Sequence, residues 1–155
     1  MIGPYAIDAC ALIDACKAYN IKKKSFAHIW DKFDELFENG SLVSSIEIYD
    51  ELKDNDLKEW IKKHKDKFLP LDKEIQEKTT EILDNYPTLI KIRSKRSSSN
   101  GDPFLIATAI IKSCIVITNE RLGDENSKDY KLPNVCRKYS IDYISLNDFL
   151  DLILE

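Results

Sequence analysis

The chain lacks any CxxC pair, any apolar run near the roughly 20 residues of a membrane span, and any N-terminal basic segment followed by an apolar signal core. These absences exclude a paired-cysteine zinc ribbon and a transmembrane helix, and they lead us to expect no secretory leader. The four cysteines are Cys10, Cys16, Cys114 and Cys136. Cys10 and Cys114 sit inside apolar runs and read as small buried hydrophobes. A reducing, cytoplasmic setting is expected rather than a disulfide framework. A basic excess is also missing. Lys and Arg number 23 against 27 Asp and Glu, for a net charge of -4. That balance argues against a protein that holds nucleic acid by bulk charge alone. There is no internal repeat, and the one low-complexity stretch is Ser97-Ser98-Ser99. Histidines are few. His28 and His64 both fall on predicted helices away from the acidic motifs described below, so a metal-free ribonuclease built on histidine is not expected.

What is present is an ordinary globular composition, 43% hydrophobic and 32% charged. A chain of 155 residues reads as a single domain spanning residues 1–155, large enough to bury a sizeable core. Tyr5-Ala6-Ile7-Asp8-Ala9-Cys10 opens it as an apolar run, predicting a central strand over about 4–10. Helical segments follow to about residue 38, where Asn39-Gly40 ends them. Short strands are predicted at 42–44, 68–71, 114–118 and 143–144. The proline in the second of these suits an edge. Helices are predicted at 46–52, 56–65, 73–85, 104–112 and 146–154, and polar loops at about 87–101 and 119–134. Strands alternating with helices imply an α/β fold, with a central parallel sheet between two helical layers. In such sheets ligands bind beyond the carboxyl ends of the strands.

Four acids stand out by position: Asp8, Glu51, Asp102 and Glu120. Asp8 is a carboxylate in an apolar strand, a costly place unless something pairs with it. Its bland role would be to bind backbone amides of the next loop. Glu51 alone would pass for a surface helix residue. Asp102 before Pro103 reads as a helix N-cap with proline in the first turn. Glu120 follows the buried run Ile115-Val116-Ile117-Thr118 and could be a solvated loop residue. Together the four suit a divalent cation, since carboxylate oxygens are the preferred ligands of Mg2+ and Mn2+. Such a site fits phosphodiester hydrolysis.

Three further groups are candidates around these acids. Thr118 and Asn119 stand where they could orient a metal-bound water or an acidic ligand, or simply bond at a strand end. Lys91, Arg93, Lys95 and Arg96 lead toward Asp102 and are candidate RNA phosphate contacts, with a solvated surface as the plain alternative. Lys22-Lys23-Lys24 reads as solvated surface, and Tyr86 as core rather than a base-stacking ring.

At this point the chain resembles PIN-domain nucleases. The resemblance rests on Tyr5-Ala6-Ile7-Asp8-Ala9-Cys10-Ala11-Leu12-Ile13, Asp50-Glu51-Leu52, Gly101-Asp102-Pro103-Phe104-Leu105-Ile106-Ala107-Thr108-Ala109 and Ile115-Val116-Ile117-Thr118-Asn119-Glu120. It is similar in particular to the VapC-like toxins of toxin–antitoxin pairs. The resemblance implies strand order 3-2-1-4-5 and metal-dependent endoribonuclease activity. It also implies a cognate antitoxin, and often a homodimer. Carried over, Asp8, Glu51 and Asp102 would hold the main Mg2+ or Mn2+, with Glu120 completing the site or binding a second ion. The chain departs from the pattern in three places. Glu120 replaces the usual aspartate, Cys10 stands where a hydroxyl or amide residue is common, and the loop at 122–134 is longer and more polar. Asp14, one or two helical steps past the first motif, could be a fifth acid of the site, with a helix-surface role as the favoured reading.

Other readings compete with this one. A PIN-like interaction module without catalysis would keep the fold, and a nuclease acting on DNA would keep the site. A haloacid-dehalogenase-like phosphatase needs an aspartate where Cys10 stands. A receiver domain needs a phosphorylated aspartate and a lysine that find no match. Asp54-Asn55-Asp56 spells the DxD of a topoisomerase–primase domain, but reads as a surface turn.

Overall fold

Tyr5, Ala6 and Ile7 are buried on both faces and form β1 (Tyr5–Ile7), the middle strand of the sheet. The computed structural model describes residues 3–89, 101–126 and 130–154. In it β1 is shorter than the sequence suggests. Asp8 has an extended backbone and caps α1 (Ala9–Ala18), so the apolar residues Ala9, Ala11, Leu12 and Ala15 are buried from a helix. A short apolar run has no period that separates strand from helix, which is why the two merge in the sequence.

α2 (Ala27–Glu38) buries Ile29, Trp30, Phe33 and Phe37 at helical spacing. It ends at Asn39, and Gly40 supplies the left-handed turn with φ +80°. β2 (Leu42–Ser45) then pairs in parallel with β1, Tyr5 opposite Leu42. Ser45 caps the short α3 (Ile46–Glu51), and Asp54 caps α4 (Asn55–Ile61). Asp54-Asn55-Asp56 is thus a helix start. A 3-10 segment, Lys62–Lys67, leads to β3 (Phe68–Leu69), which pairs with β2 and forms one edge.

Asp72 caps α5 (Lys73–Asn85), and α6 (Asp102–Lys112) leads into β4 (Ile115–Ile117). β4 pairs in parallel with β1 on the side opposite β2, placing Ile7 beside Ile117. α7 (Leu132–Lys138) lies where the sequence suggests only a polar loop up to residue 134. It buries Leu132, Pro133, Val135 and Cys136. β5 (Tyr143–Ile144) forms the other edge, and α8 (Leu146–Ile153) follows with Ser145 as its cap.

The result is a five-stranded, all-parallel sheet in the order 3-2-1-4-5, flanked by helices as an α/β/α fold. Phe33 and Phe149 pack ring to ring, and Phe149 meets Tyr5 of β1 edge-on. From β1 the chain steps to β2 on one side, while β4 occupies the other. In α/β sheets ligands bind beyond the carboxyl ends of the strands at such a reversal, here those of β1 and β4. Among the described residues no helix is long and apolar enough to cross a membrane.

Candidate functional site

Asp8 stands at the carboxyl end of β1, beside β4. Its backbone N–H continues the ladder to Ile117 O at 3.0 Å. Its side chain is 2% exposed, with Oδ1 accepting from Ala11 N–H at 2.7 Å and Oδ2 from the Thr118 hydroxyl at 2.5 Å. Burial pushes its pKa up to about 7. The two hydrogen bonds pull it down, while Glu120 and Asp14 push it further up. Asp8 is therefore a helix cap as well as a strand-end acid.

Asp102 is not the N-cap that the Asp-Pro spelling suggests. The cap is Gly101, whose backbone is already near-helical at φ -82°, ψ -12°, so the helix begins one residue earlier. Asp102 occupies its first turn, 4% exposed, with a side chain not engaged in capping. Burial raises its pKa well above the usual range, and Glu120, Asp8 and Glu51 add to the rise. A hydrogen bond with Glu120 favours the protonated form of Asp102, which donates it.

Glu51 ends α3 on the same side of the sheet. Both of its carboxylate oxygens are buried and neither has a hydrogen-bond partner. Burial pushes its pKa up to about 7, and Glu47 and Asp8 add to this. The Gly101 amide pulls the other way, although its approach falls short of hydrogen-bond geometry. Glu120 follows β4, and its backbone N–H donates to Thr118 Oγ1 at 3.0 Å. The four acids thus come from four separate segments into one mutual field.

Thr118 is 2% exposed and joins Asp8 to the Glu120 backbone. Asn119 is engaged at both ends, donating to Asp14 Oδ2 at 2.8 Å and accepting from Leu146 N–H at 2.9 Å. It ties α1 to the start of α8. Asp14 accordingly lies at the rim of the site, close enough to raise the pKa of Asp8. The Cys10 and Cys136 thiols are both pushed up to about 12, by burial first and then by the neighbouring acids. They stay protonated and are poor nucleophiles or metal ligands. Asp14 is the possible fifth acid that the sequence suggests, whereas no sequence pattern marks Cys136 as a site neighbour. Only the Leu132-Pro133 start and the basic end Arg137-Lys138 signal the helix that carries Cys136.

The remaining candidates lie elsewhere. His28 is exposed on α2, whereas His64 is buried, stacked on Phe37 and 2.6 Å from Asp34 Oδ1. Tyr86 meets Tyr130 and Tyr139 edge-on in an aromatic cluster. Lys91, Arg93, Lys95 and Arg96 lie outside the described residues.

Among the described residues no three His, Cys, Asp or Glu side chains form a preformed cation cage. The donor set nevertheless fits Mg2+ or Mn2+. It is all oxygen, Glu51 offers two buried oxygens without partners, and Mg2+ binds through one or two carboxylates while keeping several waters. A cation would replace the protons that the raised pKa values of Asp8, Glu51 and Asp102 imply.

No curated protein matches the chain. A family model described as a domain of unknown function, DUF4411, matches residues 5–152, and the chain belongs to that family.

Proposed function

We propose that this chain is a PIN-like, divalent-metal-dependent endoribonuclease, the toxin of a toxin–antitoxin pair acting in the cytoplasm on RNA. The observation that carries the proposal is the convergence of Asp8, Glu51, Asp102 and Glu120 beside the carboxyl ends of β1 and β4, with both Glu51 oxygens buried and unpartnered. Stranding that much acid in one place is unfavourable for the metal-free chain. A site that binds a cation gives the arrangement a purpose.

In this reading Asp8, Glu51 and Asp102 hold Mg2+ or Mn2+, and Glu120 completes the set. The ion, when bound, supplies the Lewis acidity that phosphodiester hydrolysis needs. Thr118 fixes the rotation of the Asp8 carboxylate by donating to Oδ2. For a cation to bind, the proton that Asp102 donates to Glu120 would have to leave. The cognate antitoxin would act by blocking access to these acids.

The test is cleavage of a mixed RNA pool with Mg2+ or Mn2+, with and without chelator, beside Asp8→Asn. Asparagine caps a helix about as well as aspartate, so the variant keeps the start of α1. Cleavage should need the metal and fall by orders of magnitude in the variant. Equal cleavage by Asp8→Asn would remove this site from consideration.

A further inference from the structure

Five helices, α1, α3, α4, α5 and α8, begin with an Asp or Ser whose side chain accepts from the first turn. α6, like α2 and α7, begins with no side-chain cap, although Asp102 stands in its first turn and Gly101 at its cap. The glycine is not there for its backbone freedom. Its φ of -82° and ψ of -12° suit any residue.

The reason is space. A Cβ at Gly101 would stand 2.6 Å from Ile48 Cδ1, 2.8 Å from Glu51 Oε1 and 3.3 Å from Glu51 Cδ. Two of these three contacts fall on the Glu51 carboxylate, whose oxygens are buried and unpartnered. We propose that Gly101 is a positioning residue of the site: the room left by its missing side chain seats the Glu51 carboxylate against the start of α6, beside Asp102. The inference rests on the metal-site reading above. It predicts a dependence that the acids alone do not.

Any side chain at position 101 must move both the tip of Ile48 and the Glu51 carboxylate. Ile48 is 0% exposed and has little freedom to shift within the core. The Glu51 carboxylate, 2.8 Å from that Cβ, must therefore leave the position it now holds. Misplacing a ligand through its supporting residue typically costs about 10- to 100-fold in metal affinity.

The experiment is a double-mutant cycle read by calorimetric titration with Mn2+, without RNA. Gly101→Ala should weaken Mn2+ binding by about tenfold or more. In the Glu51→Asp background the carboxylate is one methylene shorter, and adding Gly101→Ala should cost little. Ile48→Val combined with Gly101→Ala removes the apolar clash but not the carboxylate one, so binding should stay weak while the fold is retained by circular dichroism. Unchanged affinity in Gly101→Ala, or an equal loss in the Glu51→Asp background, would overturn the proposal and leave the metal site standing. Absence of Mn2+ binding to the unaltered chain would overturn both.

Discussion

The Thr118 hydroxyl donates to Asp8 Oδ2 at 2.5 Å and accepts the Glu120 N–H at 3.0 Å. One side chain therefore links the Asp8 carboxylate at the end of β1 to the backbone that follows β4. Thr118→Val keeps the shape and removes the donor. The hydrogen bond lowers the Asp8 pKa, so its loss should move Asp8 above its value of about 7. An NMR titration of the Asp8 carboxyl carbon reads this directly, and urea unfolding should show a loss of about 1–2 kcal/mol. An unmoved Asp8 midpoint would mean that the bond does not act on the carboxylate.

Stability of the metal-free protein should fall as pH rises. Asp8 and Glu51 have folded pKa values of about 7, above their ordinary values of 3.8 and 4.5. Between about pH 4 and pH 7 the folded chain binds more protons than the unfolded chain, so each unit of pH rise weakens folding. Asp102 acts in the same direction. Thermal melts in chelator should therefore give a higher Tm near pH 5 than near pH 8. A flat or rising profile across that window would contradict the raised pKa values.

Divalent cation should reverse that trend. Mg2+ or Mn2+ bound only to the folded state stabilises it by mass action. It must displace protons from Asp8, Glu51 and Asp102 when they are protonated, so the gain in Tm should be larger near pH 8 than near pH 6. Calorimetry in buffers of different ionisation enthalpy should detect the released protons. Equal gains at both pH values, with no proton release, would place the cation elsewhere.

The loop after Glu120 is latched from α7. Gly123 N–H donates to Asn134 Oδ1 at 2.7 Å, and Asn134 Nδ2 donates back to Gly123 O at 2.9 Å. Asn134→Ala leaves both backbone groups without their partner. The expected cost is about 1–3 kcal/mol in denaturant unfolding, with faster amide exchange at Gly123. Exchange as slow as in the unaltered chain would show that the latch is redundant.

The parallel sheet was legible because buried apolar runs alternate with segments of helical period. The order of the acids along the chain was legible too, since each follows or precedes such a run. The end of β1 was not, because Ala9, Ala11 and Leu12 are buried in α1 as thoroughly as Tyr5–Ile7 are in the strand. Nor was α7, a seven-residue helix whose apolar face is too short to show a period. The helix start at Gly101 escaped because Asp-Pro is itself a cap spelling. The contact between Gly101 and Glu51 joins residues 50 positions apart through shape alone, which no local pattern records.

The most direct measurement is the chemistry of the cut ends. A divalent cation held by these acids would supply an activated water, and hydrolysis by water rather than by the RNA's own 2′-hydroxyl gives linear phosphate and hydroxyl ends. Attack by the RNA's own 2′-hydroxyl, the route of metal-free ribonucleases, leaves a 2′,3′-cyclic phosphate. Mass spectrometry of fragments from a defined RNA, cleaved with Mn2+ by the unaltered chain and by Asp8→Asn, separates the two. Linear ends that form only with metal and only with Asp8 intact are the predicted result. Cyclic phosphate ends, or cleavage that persists in chelator, would contradict the account.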